Sequence, residues 1–217
     1  MNVIVTGGAG HIGTQVVNLL AGNDIHVICV DKVERNTRGK NITTVRADVT
    51  NSHVLEEILM DYDASTVIHL VGLPHIGDCE KNPQLSFYLN ALSTQNIVEA
   101  SRKANVDKVL FASTAAVYGY TKKDSVSENE EPKPNTVYGF HKLISEQIIG
   151  SYQEIYGIKN VVFRLFNVYG GNPIYGKDII SIFIRRSLDK KPLIITGPNK
   201  FRDFVHVEDV ARIFLLS

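Results

Sequence analysis

The sequence has no tryptophan and only two cysteines, Cys29 and Cys79, among its 217 residues. Two cysteines are too few for a disulfide scaffold or a cysteine-rich zinc site, so we expect free thiols in a reducing compartment. The sequence also lacks net charge, because 23 Lys and Arg residues balance 23 Asp and Glu residues. That balance removes the electrostatic argument for a general binder of nucleic acid or of a membrane surface.

Long apolar runs are missing too, since none approaches the roughly 20 residues of a membrane span. The opening residues, MNVIVTGGAG, lack the basic region and cleavage site of a signal peptide. His75, Asp78 and Cys79 lie close together but match no zinc spacing. We therefore expect a cytoplasmic protein with no metal, no membrane and no nucleic acid among its partners.

Apolar runs of strand length alternate with segments of helical periodicity, which predicts an α/β fold with a doubly wound parallel sheet. The runs lack strict polar alternation, as in strands that are covered on both faces. We expect strands at 3–6, 25–30, 43–47, 66–71, 108–113 and 160–166. We expect helices at 13–21, 54–60 with Ser52 as N-cap, 85–104 and 138–156.

From Asn167 onward the pattern loosens. It predicts a helix near 178–188 and short strands at 193–196 and 204–207. We therefore divide the chain into a main domain, 1–166, and a smaller, incomplete lobe, 167–217, of which a strand and a helix return to the main domain.

A glycine loop follows the first expected strand and opens the first expected helix. Gly7, Gly10 and Gly13 satisfy G-x-x-G-x-x-G, with His11 and Ile12 between the last two. Such glycines allow a tight turn and close backbone approach to a pyrophosphate, and the helix N-terminus offers free N–H groups to phosphate. The loop therefore predicts a dinucleotide site.

Asp31 stands at the end of the second expected strand. That position suits a carboxylate that accepts hydrogen bonds from the adenosine ribose. Such a carboxylate would repel a 2′-phosphate, which favours NAD over NADP. Arg35 and Arg38 lie nearby in the sequence and keep NADP open as the alternative.

Tyr138 and Lys142 are four residues apart at the start of an expected helix, so they share one face. A free phenol has a pKa of about 10 and is a poor base near neutrality. A neighbouring ammonium and a positively charged nicotinamide ring could together lower that pKa. With the glycine loop, the pair predicts a chemical role in which Tyr138 acts as a base.

Eight motifs stand in the right order for one family: TGGAGHIG, Asp31, Asp48-Val49, HLVG, STAAVYG, YGFHK, RLFNVYG and RDFVHVEDVA. The chain resembles the extended short-chain dehydrogenase/reductases with a Rossmann domain, specifically the NAD-dependent nucleotide-sugar epimerase/dehydratases. Within them it is most similar to the UDP-glucose (UDP-galactose) 4-epimerases. The resemblance implies NAD as cofactor and a nucleotide sugar as substrate.

The resemblance also implies roles for single residues. Tyr138 would be the catalytic acid and base, supported by Lys142, with Thr114 bonded to the reacting hydroxyl and Ser113 as a candidate support. Thr114, Tyr138, Asn167 and Arg202 would bind the substrate, the last two through its diphosphate. The cofactor would be bound by Gly7, Gly10, His11, Ile12, Gly13, Asp31, Asp48, Val49, Leu70, Val71, Gly72, Asn90, Lys142 and Phe166.

One departure from the family bears on the reaction. Dehydratases of this family typically carry Asp-Glu after the catalytic Thr, whereas this chain has Ala115-Ala116. Methyl groups cannot transfer protons, so epimerisation through a transient 4-keto sugar is favoured over dehydration. The alternatives are an NAD-dependent dehydrogenase acting on another hydroxy substrate, or a truncated, catalytically weak NAD-binding protein.

Two further expectations come from the resemblance. Family members commonly pair the two long helices into a four-helix interface, so we expect a homodimer. Members also usually continue well beyond the length of this chain, so we expect a truncated form with its last apolar residues, 213–216, uncovered.

Overall fold

The computed structural model describes residues 2–33, 39–121, 125–171, 178–195 and 201–217. One sheet contains six parallel strands, in the order β3-β2-β1-β4-β5-β6. This is the doubly wound sheet that the sequence predicts, with its topological switch point between β1 and β4. The strands are β1 (Asn2–Thr6), β2 (His26–Asp31), β3 (Ile42–Arg46), β4 (Ala64–His69), β5 (Lys108–Thr114) and β6 (Lys159–Leu165).

Helices connect these strands, and two short strands follow them. β7 (Asn167–Tyr169) and β8 (Phe204–His206) pair in parallel as a separate sheet. A π-helical turn, Tyr88–Leu92, joins α4 to α5, and a 3-10 turn, Ala115–Tyr118, follows β5. The helices are α1 (His11–Gly22), α2 (Ser52–Asp61), α3 (Ile76–Lys81), α4 (Pro83–Phe87), α5 (Ser93–Lys103), α6 (Val137–Tyr156), α7 (Ile179–Leu188) and α8 (Val207–Leu216).

Helices cover both faces of the six-stranded sheet, which explains why its central strands are apolar without alternation. On one face, side chains such as Val3 and Val5 pack with α1 and α8. On the other face, Ile4 and its neighbours pack with α2 and α5, and Phe111 packs with α5 and α6. The carboxyl ends of the strands are left free to carry loops.

The expected helix at 85–104 is wrong as a continuous element. Helical structure begins at Pro83 and ends at Lys103, and the π-helical turn interrupts it. Tertiary contacts explain the interruption, because the Ser145 hydroxyl of α6 donates a hydrogen bond to the Asn90 carbonyl within the turn. Such turns are frequent at functional sites.

The N-cap of α2 is also corrected. It is Asn51 rather than Ser52, because the Asn51 side chain accepts a hydrogen bond from the Val54 amide. An N-cap residue keeps an extended backbone while its side chain binds an amide of the first turn, and Asn51 does both.

In the C-terminal part, residues 193–195 form no strand, and Thr196 lies outside the described residues. The last apolar residues are largely covered, against expectation: Phe214 is 2% exposed, and Ile213 and Leu215 pack against the core. Only Leu216 among these four projects into solvent, at 85% exposure. The division into residues 1–166 and 167–217 stays a prediction.

The packing of α8 predicts a difference between two of its residues. Phe214 lies edge-on to Phe163, with ring centroids 4.7 Å apart, and Phe214→Ala would leave a cavity. We expect this substitution to lower the free energy of unfolding by about 3–5 kcal/mol, measured by urea denaturation. Leu216→Ala is the matched control and should change that free energy by less than about 0.5 kcal/mol. Equal effects of the two substitutions would contradict the observed packing.

Candidate active site

The glycine loop joins β1 to α1, and Gly10 precedes the first helical residue, His11. No side chain of the described residues caps this helix, so its first amide groups are available to a ligand. The first turn of α1 packs directly against the loop, and only a glycine fits at position 13. A Cβ atom there would be 2.1 Å from the Gly7 carbonyl oxygen. The loop and the helix N-terminus together fit a pyrophosphate.

Two carboxylates lie at or just after the ends of β2 and β3, the strands next to β1 on one side of the sheet. Asp31 ends β2 and accepts hydrogen bonds from the amides of Ala9 and Val33, each at 3.1 Å. Asp48 forms an ion pair with Lys32 at 2.7 Å and precedes the buried Val49. Burial alone would raise the pKa of Asp48, but hydrogen bonds from Lys32 and Thr50 outweigh it and lower the pKa. Arg35 and Arg38 lie outside the described residues.

The segment after β4 adjoins the glycine loop from the other side. The Leu70 amide donates to the Thr6 carbonyl at 3.0 Å, which ties the ends of β4 and β1 together. Val71 and Gly72 follow, and a Cβ atom at Gly72 would lie 2.6 Å from Asn90 Oδ1 and 3.5 Å from Lys142 Nζ. The structure thus brings these predicted cofactor residues together.

Asn90 lies in the π-helical turn and is fully buried. Its side chain accepts a hydrogen bond from the Leu73 amide at 2.9 Å and donates one to the Leu73 carbonyl at 3.2 Å. The observed contacts of Asn90 therefore hold the segment after β4 in place.

Thr114 and Tyr138 are brought together by the end of β5 and the start of α6, close enough for the Thr114 hydroxyl to act on the pKa of Tyr138. α6 approaches closely because residue 139 is glycine: a Cβ atom there would lie 2.5 Å from the Ala116 carbonyl oxygen. Thr136 caps the helix by accepting a hydrogen bond from the Gly139 amide at 3.0 Å.

Burial raises the pKa of Tyr138 to about 12, although the hydrogen bond from Thr114 acts to lower it. The chain's own residues therefore raise this pKa, in the direction opposite to that which a base near neutrality requires. Burial lowers the pKa of Lys142 to about 7, while the negative charge of Glu146 acts to raise it. Lys142 Nζ donates to the Ala112 carbonyl at 2.9 Å and lies 4.4 Å from the centroid of the Phe111 ring.

The two residues assigned to the substrate diphosphate are in contact. Arg202 Nη1 donates to Asn167 Oδ1 at 3.1 Å, and Asn167 Nδ2 donates to the Asp203 carbonyl at 2.8 Å. Arg202 is exposed, so its guanidinium can meet phosphate oxygens. Phe166 lies just before Asn167 and is 40% exposed.

His11, which the resemblance assigns to the cofactor, also connects two parts of the site. Its Nε2 atom donates to the Gly170 carbonyl at 2.7 Å, so the glycine loop is linked to the segment after β7. Sequence reasoning also missed Glu146. The available signal was its spacing, because Glu146 follows Lys142 by four residues and shares its helix face.

Within the described ranges, no three His, Cys, Asp or Glu side chains are grouped so that they could hold a metal ion. Among the helices of those ranges, none is both long and apolar enough to cross a membrane.

Comparison with known proteins gives the same family from sequence and from structure. The family model described as the NAD dependent epimerase/dehydratase family matches residues 3–217. A protein of Methanocaldococcus jannaschii, whose name of UDP-glucose 4-epimerase is provisional, is 36% identical over 99% of this chain and 72% of its own. The UDP-glucose 4-epimerase of Thermotoga maritima, solved with UDP-glucose, is 32% identical with a TM-score of 0.93 over 100% of this chain and 72% of its own. The UDP-glucose 4-epimerase of Thermus thermophilus, solved with NAD, is 31% identical with a TM-score of 0.91 over 100% of this chain and 74% of its own. The chain therefore belongs to the NAD-dependent epimerase/dehydratase family, as an enzyme whose cofactor is NAD.

Proposed function

We propose that this protein is a nucleotide-sugar epimerase that inverts C4 of a UDP-hexose of the UDP-glucose/UDP-galactose type. The observation that carries the proposal is the pair of Thr114 and Tyr138, whose side chains interact at the end of β5 and the start of α6, with Ala115 and Ala116 directly after Thr114. Epimerisation needs one group to take a proton from a hydroxyl and return it, and the pair provides that group. Dehydration needs a further acid and base, and two methyl groups stand at their positions.

The described residues fit NAD. The cradle is formed by the glycine loop and the uncapped start of α1, with Asp31 beside it for the ribose and Asp48 close by. When bound, NAD supplies a positively charged ring and a reversible acceptor for the hydride on the sugar carbon. Lys142 lies beside Gly72 and would hold the adjoining ribose.

In this proposal Tyr138 removes the proton of the 4-hydroxyl group and later returns it. The hydroxyl of Thr114 donates to the phenolate and so opposes part of the effect of burial. A 4-keto sugar forms transiently and rotates within the site, so that its opposite face meets the cofactor. Positive charge at Lys142 and at the cofactor ring would lower the pKa of Tyr138 from about 12 towards neutrality.

A UDP-sugar is supported by the contact between Asn167 and Arg202, since an arginine fork binds phosphate oxygens in a bidentate way. The related enzyme of Thermotoga maritima, solved with UDP-glucose, supports the same ligand class. A UDP-N-acetylglucosamine 4-epimerase of Methanobrevibacter ruminantium is 30% identical with a TM-score of 0.90, so the 2-substituent of the sugar is the finer question.

We also propose a homodimer through the face formed by α4 and α6. Phe87 and Phe140 are 43% and 55% exposed there. The ring of His141 lies between them, 5.5 Å from Phe87 and 6.4 Å from Phe140 between centroids. An exposed aromatic cluster of this kind on paired helices suits a two-fold interface.

The first prediction from the proposed function concerns the choice between NAD and NADP. Asp31→Asn keeps the shape of the side chain but loses its charge, so it should weaken NAD binding by about 1.5–3 kcal/mol. It should also reduce the preference for NAD over NADP. Calorimetry with both dinucleotides measures this, with Asp61→Asn on α2 as the control. Equal affinity of the native protein for NAD and NADP would show that the role given to Asp31 is wrong.

The second prediction tests the reaction. The native protein should interconvert UDP-glucose and UDP-galactose, and Tyr138→Phe should lower turnover by about 100-fold or more, as is typical for loss of a general acid/base. NAD binding should be unchanged, since only one hydroxyl is removed. Tyr156→Phe, at the other end of α6, is the matched control and should retain activity. Activity of Tyr138→Phe above about a tenth of native would exclude Tyr138 as the acid/base.

The third prediction tests the dimer. Light scattering at micromolar concentration should give twice the chain mass of 24.1 kDa. Phe140→Asp should give the monomer mass, because a carboxylate would be buried unpaired in the interface. Leu188→Asp changes a residue that is 78% exposed on α7, and it should remain dimeric. A native protein that runs as a monomer would rule the proposal out.

A further inference from the structure

A carboxylate–guanidinium pair lies one helical turn beyond Lys142. Glu146 Oε1 accepts a hydrogen bond from Arg164 Nε at 3.2 Å, and Glu146 Oε2 accepts one from Arg164 Nη2 at 2.8 Å. Only 9% of the Glu146 side chain and 21% of the Arg164 side chain are exposed. A bidentate pair shielded in this way fixes its partners in one geometry.

This pair reaches the end of β5 on one side. The Ser113 hydroxyl donates to Glu146 Oε1 at 2.5 Å, and Ser113 directly precedes Thr114. Ser113 is buried, and its backbone lies opposite that of Arg164 where β5 pairs with β6. Ser113, Glu146 and Arg164 therefore form one connected cluster.

On its other side the pair reaches the turn that follows Thr114. Arg164 Nη1 donates to the Tyr118 hydroxyl at 2.9 Å and to the Glu128 carbonyl at 3.2 Å. The guanidinium also lies over the Tyr118 ring, 4.9 Å from its centroid. The Glu146–Arg164 pair thus holds the residues on both sides of Thr114.

We propose that Glu146 is a positioning residue, which through Ser113 and Arg164 fixes Thr114 relative to Tyr138 and Lys142. Glu146 and the two reacting side chains are on the same helix, α6, whereas Thr114 is on β5. The Glu146 contacts therefore set the distance between strand and helix on which the interaction of Thr114 with Tyr138 depends. This inference rests on the proposed function, in which those two hydroxyls act together.

Glu146 also acts on Lys142 by its charge. Within the described residues, groups from five elements face Lys142. β5 contributes the Phe111 ring and the Ala112 carbonyl. The others are His69 of β4, Cys79 of α3, Asn90 of the π-helical turn and Glu146 of α6. Burial lowers the pKa of His69 to about 3, so that ring is neutral. Glu146 and Cys79 both act to raise the pKa of Lys142, and Glu146 is the larger of the two.

The direction of the effect follows. Removal of the negative charge lowers the pKa of Lys142, so Lys142 loses its proton at a lower pH. Since the proposed base needs that positive charge, the alkaline limb of the pH profile of kcat should move to lower pH in Glu146→Gln. A residue that only stabilised the fold would not move this limb.

The test compares Glu146→Gln and Ser113→Ala with the native enzyme, for UDP-galactose turnover and NAD content. We expect kcat to fall on the order of tenfold to a hundredfold in both, as for a small displacement of a reacting group. KM should change by less than about twofold, because substrate binding is not altered. Ser113→Ala should leave the pH profile in place, since the Glu146 charge is kept. The double variant should be no slower than Glu146→Gln alone, because both changes break one connection.

The matched control is Glu99→Gln on α5. Glu99 likewise accepts two hydrogen bonds from an arginine, Arg102, and one from a hydroxyl, Tyr152, but it adjoins no reacting group. This variant should keep native kcat and an unmoved pH profile. An equal loss in Glu99→Gln and Glu146→Gln would overturn the proposal, as would native kcat in Ser113→Ala. If Glu146→Gln does not fold, the kcat of Ser113→Ala alone tests the proposal, and a native value would overturn it.

A second readout separates this inference from the proposed function. The ionisation of Lys142 can be followed by NMR of labelled lysine side chains, whether or not the enzyme turns over UDP-hexoses. If neither native protein nor variants convert these sugars, the proposed function fails. The pKa of Lys142 should still be lower in Glu146→Gln than in the native protein, and an unchanged pKa would overturn the inference on its own.

Discussion

All six strands of the main sheet run parallel, and the placement of the site depends on this constraint. Because the strands share one direction, the segments that follow them emerge at one edge. The glycine loop follows β1, Asp31 ends β2, Leu70 follows β4 and Thr114 ends β5. Residues that are far apart in the sequence thus meet without any long excursion of the chain. The hydrogen bond between Leu70 and Thr6 shows how closely two of these ends are joined.

The sequence alone was sufficient where the signal is local. Apolar runs located the six strands, and the glycine spacing located the loop, since both depend on neighbouring residues. The sequence alone was insufficient where residues far apart in the chain determine the local structure. The interruption of the helix at Asn90 involves Ser145, and the Glu146–Arg164 pair joins a helix to a strand. The pKa of Tyr138 could not be derived either, because burial by the surrounding fold outweighs its hydrogen bond to Thr114.

Tyr138 and Lys142 respond to burial in opposite senses, and the contrast has a chemical meaning. Burial disfavours charge on both, so the phenol keeps its proton more firmly and the ammonium loses its proton more easily. The neutral forms of both side chains are thereby favoured in the chain itself. A reaction that needs a phenolate beside an ammonium thus depends on further charges in the site, such as Glu146 and the cofactor ring.

The packing of α8 against α1 has a consequence for how the protein forms during synthesis. α1 leaves the ribosome well before α8, yet its inward residues, such as Val16 and Val17, share a cluster with Val210 and Phe214. Contacts between segments so distant in the chain carry a high entropic cost of closure and form late. Until α8 emerges, one face of the sheet lacks part of its cover. The nascent chain would therefore expose apolar surface until α8 has been synthesised, which is the condition that chaperones recognise.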